Sequence, residues 1–143
     1  MALTATALAT RHSGPSAVTS KTTTMSLVAV EQACGGADLP PADGSPGDVT
    51  MCRGRLQDAG THAVAGRAAW YCPYTGAERA GDVCTAVAGL RRGDITLAGR
   101  LSHTSAKSTW AITGGTGAYA TARGTATVHQ LGETRTAVTL RLR

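Results

Sequence analysis

Ala111-Ile112-Thr113-Gly114-Gly115-Thr116-Gly117-Ala118-Tyr119-Ala120-Thr121-Ala122-Arg123-Gly124 is the stretch on which the fold turns. Gly115, Gly117 and Ala120 match a GxGxxA dinucleotide fingerprint, and an apolar run precedes them. That fingerprint also needs a helix after it, whose N-terminus holds a pyrophosphate. The next residues here are Thr121-Ala122-Arg123-Gly124-Thr125-Ala126-Thr127-Val128, β-branched and broken by glycine. Such a run is a strand. The segment therefore reads as a glycine-rich turn between two antiparallel strands, its glycines supplying positive φ.

The rest of the chain shows the same rhythm. Strand-like runs fall at Leu27–Ala33, Val49–Leu56, His62–Cys72, Asp82–Leu90, Asp94–Ser102, Ser108–Thr113, Thr121–Gln130 and Thr134–Arg143. Gly, Pro and Asp clusters separate them. Eight short strands with no amphipathic helix predict an all-β fold, an antiparallel up-and-down β-barrel closed on itself. Alternation assigns the faces. Val138, Leu140 and Leu142 share one side of the last run, and Ala68, Trp70, Cys72 and Tyr74 share one side of the third. The 143 residues include 18 glycines and no Phe. An interior built from Ala, Val and Leu fills space poorly, which favours a hollow lumen.

The net charge is +5, but the basic residues are scattered. Nucleic-acid binding would need a basic stripe interleaved with aromatics, and none is present. No apolar run is long enough for a membrane-crossing helix. Met1–Thr24 has no periodicity and reads as a disordered leader, leaving residues 25–143 as a single barrel domain. Met25 is an alternative start. The leader lacks a secretory apolar region. The expected location is therefore cytoplasmic, with Cys34, Cys52, Cys72 and Cys84 reduced; in an oxidising compartment two disulfides could form. No cysteine is in a CxxC pair or at ligand spacing from a His, so no metal site is expected.

A strand, a Thr-Gly-Gly-Thr-Gly turn, Tyr119 and then Ala122-Arg123-Gly124 leading to Val128 resembles the allene oxide cyclase-like and dirigent-like barrel family. Upstream, Val30-Glu31, Gly47-Asp48-Val49, Leu56-Gln57-Asp58, Gly66 through Cys72, and Gly93 through Gly99 keep that family's order. The resemblance implies a cofactor-free barrel that steers a reactive organic molecule by shape. Plant cyclases close an unsaturated epoxide, dirigent proteins orient radical coupling, and related bacterial barrels perform ring-forming steps that include [4+2] additions.

Glu31 matches the cyclases' first-strand glutamate. It is either a lumen acid able to move a proton or a strand-end acid facing water or an Arg. The Asn that the family carries two residues later would fall on Ala33, a departure from the plant reaction. Cys72 matches a lumen cysteine. It shapes a pocket or makes a weak acid contact, or else it is a buried hydrophobe or a partner of Cys84. Trp70, Tyr74, Trp110 and Tyr119 are scarce large side chains, suited to a substrate wall or to core and subunit contacts. His103 could exchange a proton near neutral pH, or be a lone surface residue with no partner evident in sequence.

The expected function is a cofactor-independent cyclase or isomerase acting on an apolar polyketide- or lipid-like intermediate. The alternative is a non-catalytic dirigent-like or ligand-binding barrel. Exterior Val and Ala alternating with Thr, together with the resemblance, imply a homo-oligomer, dimeric or trimeric.

Overall fold

The structure, a computed structural model, describes residues 21–41, 44–76 and 81–143. Eight strands run in order: β1 (Thr23–Ala37), β2 (Val49–Asp58), β3 (Val64–Pro73), β4 (Asp82–Leu90), β5 (Gly93–Leu101), β6 (Lys107–Gly115), β7 (Gly124–Gln130) and β8 (Arg135–Leu142). Each pairs antiparallel with the next, and β8 returns to β1, so the barrel is closed. Closure removes the unpaired edges that would invite aggregation. No helix among the described residues is long and apolar enough to cross a membrane.

The period-two pattern is clear along β3. In β3, Ala68, Trp70 and Cys72 turn inward while Arg67, Ala69 and Tyr71 are exposed. β1 differs most from its sequence reading. Thr23 and Thr24, assigned to the leader, pair with Leu142 and Arg141 of β8. The first part of the leader, residues 1–20, lies outside the described residues.

The lumen is unequal from end to end. At one end Leu27, Leu56, Ile95, Ile112, Leu140 and Leu142 are buried against one another. Each such side chain contributes roughly 1.5–3 kcal/mol by leaving water. Toward the other end the inward positions carry Ala29, Cys52, Cys72, Cys84 and Ala86, which are smaller. One end is a solid core; the other has room.

The glycine-rich segment does more than turn the chain. β6 runs through Gly114 and Gly115, and β7 begins only at Gly124, so no tight hairpin forms. Between them a 3₁₀ turn spans Gly117–Tyr119. Gly117 has φ of +56°, and a Cβ there would stand 2.4 Å from the Arg92 carbonyl oxygen. Ala118 N donates to Arg92 O at 2.9 Å, and Thr116 N to Asp94 O at 2.9 Å. The glycines thus let this link lie flat across the β4–β5 turn and floor the packed end, where Ala122 is buried.

Both cysteine pairs are bonded, Cys34 to Cys52 and Cys72 to Cys84. The expectation of reduced thiols is overturned. Cys34 and Cys52 stand directly opposite across β1 and β2. Cys72 and Cys84 form the pair next to Tyr71 and Thr85 across β3 and β4. The physical cause is register: facing residues on adjacent antiparallel strands bring their Cβ atoms within disulfide reach.

Candidate functional site

A cavity of about 290 Å³ opens at the roomy end of the lumen. Strand after strand contributes: Ala29 and Glu31 from β1, Trp70 and Cys72 from β3, Asp82 and Ala86 from β4, Leu97 and Leu101 from β5, Trp110 from β6, Val128 and Gln130 from β7. Small inward residues such as Ala29, Cys72 and Ala86 leave space between the larger Leu97, Val128 and Trp110. The volume suits one small guest.

Glu31 lines this cavity, half-buried. Leu27, Ala29 and Glu31 share the inward face of β1, and the pairing shifts register between Glu31 and Ala33. That bulge adds one residue and reverses the parity beyond it. The next inward position is therefore Cys34, which lines the cavity, instead of Ala33. The Glu31 carboxylate comes within 4.8 Å of the Cys34 and Cys52 sulfurs. With those sulfurs bonded to each other, the grouping lacks the thiolates that a soft metal would need.

Asp82 is the acid that sequence reading missed. It heads β4 in the same parity as Cys84 and Ala86, and that parity was the signal available. Its Oδ1 is buried and accepts no hydrogen bond among the described residues. His103 Nε2 stands 3.2 Å away, within ion-pair range but without hydrogen-bond alignment. His103 therefore has the acidic partner that its sequence neighbourhood hid. Tyr74 packs edge-on against the His103 ring, centroids 6.4 Å apart at 87°. An acid, an imidazole and a phenol so converge at the mouth. Tyr74 itself lines an adjoining recess of about 320 Å³, which shares Thr50, Cys72 and Asp82 with the main cavity.

The tryptophans divide. Trp110 is buried, and its indole N–H donates to the Arg100 carbonyl at 3.0 Å. It is a fixed wall. Trp70 is only half-buried and lies between Cys52 on β2 and the small Ala86 on β4. Tyr119 belongs to neither cavity nor recess. It stands in the 3₁₀ link at the packed end, against the core. Its turn carries it to the floor of the barrel, away from the mouth. Cys72 lines the cavity as a disulfide sulfur, so it has no thiol proton to give.

No protein-family model and no curated protein matches the sequence. Solved structures do. The chain is similar to pyocyanin demethylase at 27% identity, with a TM-score of 0.75 over 85% of this chain and 100% of that one. It is similar to a pterocarpan synthase dirigent protein at 16% identity, TM-score 0.68, over 85% and 93% of the two chains. An exo-specific intermolecular Diels-Alderase aligns at 12% identity, TM-score 0.65, over 86% and 98%. The fold is that of the dirigent-like and cyclase-like barrels, in agreement with the resemblance carried by the glycine segment.

Proposed function

We propose that the open half of the lumen binds one small apolar or aromatic molecule and steers its rearrangement or ring closure. The observation that carries this reading is the meeting of Glu31, Asp82 and Trp70 on one cavity of about 290 Å³. Confinement supplies most of the effect. Holding reacting ends together lowers a barrier by up to about 7–11 kcal/mol, without any nucleophile. Glu31 and Asp82 face the same guest, with His103 behind Asp82 at 3.2 Å, so one group accepts a proton while another returns it. An isomerisation or cyclisation of this kind conserves atoms and electrons, and so needs no co-reactant. The similarity to a Diels-Alderase and to a demethylase supports an enzyme. The similarity to a dirigent protein keeps guest orientation without turnover as the second reading.

Two disulfides favour an oxidising compartment over the cytosol. Self-association is also part of this reading. Met51, Tyr71 and Val87 stand exposed on the outer face of β2, β3 and β4, an apolar strip fit for a second copy. Sedimentation of Tyr71→Lys should show a smaller species than wild type. An unchanged size would remove this strip as the contact.

The deciding experiment incubates purified protein with linear trienes bearing a terminal alkene, and tracks cyclised products by chromatography. Product that vanishes in Glu31→Gln/Asp82→Asn supports the enzyme reading. Bound but unchanged probes would support the orienting barrel instead. Product formed equally by the double variant would remove both acids from the mechanism.

A further inference from the structure

Charge is spread unevenly over this molecule. The chain carries 14 Lys and Arg against 9 Asp and Glu, a net charge of +5. The cavity reverses that balance. Glu31, Asp82 and Glu133 line it, and none of its described lining residues is Lys or Arg. The adjoining recess repeats the pattern, with Asp38, Asp48 and Asp82 and again no Lys or Arg among its described lining residues. Asp48 is already committed, since its carboxylate accepts Leu39 N at 2.7 Å and Ser45 N at 2.8 Å. Glu31, Asp82 and Glu133 show no such backbone donors among the described residues.

Partly desolvated carboxylates without a partner are costly, and a low-dielectric wall strengthens their field. Here the wall is apolar: Leu97, Leu101, Val128 and the two tryptophans. His103 can neutralise Asp82 when protonated, because it stands 3.2 Å from it. Half-buried Glu31, with the exposed Glu133 at the rim, meets no basic residue among the described lining of the cavity, so the lining stays acidic whatever His103 does. Trp70 adds an aromatic surface that attracts cations as well as flat rings.

Building on the ligand cavity proposed above, we propose that the guest is an aromatic cation. It is a flat ring system bearing positive charge on nitrogen, with its ring against Trp70 and Trp110 and its charged edge toward Glu31 and Asp82. The carboxylates select by charge and the indoles by shape. An anionic guest, such as a fatty acid, would meet uncompensated repulsion from the same groups.

Three probes of like size and different charge test the inference: N-methylquinolinium, uncharged quinoline at mildly alkaline pH, and 2-naphthoate. Tryptophan fluorescence and calorimetry report their binding to the full chain. Ala86→Phe, which fills the cavity, serves as the site control. The cation should bind at least about tenfold more tightly than quinoline, since roughly 1.4 kcal/mol of charge attraction suffices for that factor, and naphthoate most weakly. Glu31→Gln should shrink the ratio, with quinoline binding retained as proof of folding. Equal binding of cation and neutral probe, blocked by Ala86→Phe, would overturn the charge preference and leave the ligand cavity intact. Cation binding that survives Ala86→Phe would place it outside the lumen and overturn the inference. Failure of all three probes to bind would overturn the cavity reading and this inference with it.

Discussion

The indole of Trp110 occupies the space that a side chain on Gly99 would need. A Cβ at Gly99 would lie 2.3 Å from Trp110 Cγ. The ring is pinned there by its N–H to Arg100 O at 3.0 Å. Gly99 thus sets the position of one cavity wall from the neighbouring strand. Gly99→Ala should push the ring off that seat and cost about 1–3 kcal/mol as overpacking. Thermal melting and the tryptophan emission maximum would report it together. An unchanged melt with unchanged emission would show that the strand moves aside instead.

The packed and open ends should answer truncation differently. Leu56 is buried among close-packed neighbours, so Leu56→Ala should cost about 2–5 kcal/mol. Leu101 already borders empty space at the cavity, so Leu101→Ala should cost less than that range. Urea unfolding of both variants gives the comparison. Equal losses would mean that the open end is as tightly packed as the floor.

Disulfide loss should weaken the mouth. The bonds close short loops, with separations of 18 and 12 residues. Each should contribute about 2–4 kcal/mol. Cys72→Ala/Cys84→Ala should lower the urea midpoint and raise hydrogen exchange in β3 and β4 near the mouth. A midpoint that does not move, with or without reductant, would show that register alone holds these strands.

The far turn carries a pH dependence. Asp58 Oδ1 accepts Gly60 N at 3.0 Å, Thr61 N at 2.8 Å and the Thr61 hydroxyl at 3.0 Å. The Thr61 backbone bond first, then the other donors, hold its carboxyl below the ordinary value of 3.8. Those bonds favour the ionised form, so their support is complete above that ordinary value. It is lost as pH falls through the lowered one. Amide exchange at Gly60 and Thr61 should accelerate on acidification below pH about 4 after correction for intrinsic rates, and Asp58→Ala should remove the effect. A flat profile in the wild type would count against it.

Much of this architecture was legible in residue order. Strand number and inward faces come from the period-two pattern, because a strand buries alternate residues whatever its partners. Asp82–Leu90 appears in the structure with the bounds read from sequence. The glycine segment identified the fold class and turns between antiparallel β6 and β7 with positive φ at Gly117, as its residues imply; the added feature is a 3₁₀ link that lies over Arg92. That role depends on a carbonyl from the β4–β5 turn, which no local pattern announces.

The site divides along the same line. Glu31, Trp70 and Trp110 carried their own signals as an isolated acid and rare aromatics, and the barrel brings all three to one cavity. Asp82 carried only its parity with Cys84 and Ala86, because its meaning lies in His103 just past the end of neighbouring β5. Tyr119, which belongs to the turn motif, lies at the opposite end. By itself, then, the sequence determined the strands and which way their residues face, since alternation is a property of the extended chain. Which end stayed open, which cysteines joined and which acid met which base were decided by tertiary structure. Those depend on bulges and register, and a one-residue shift exchanges the inside for the outside.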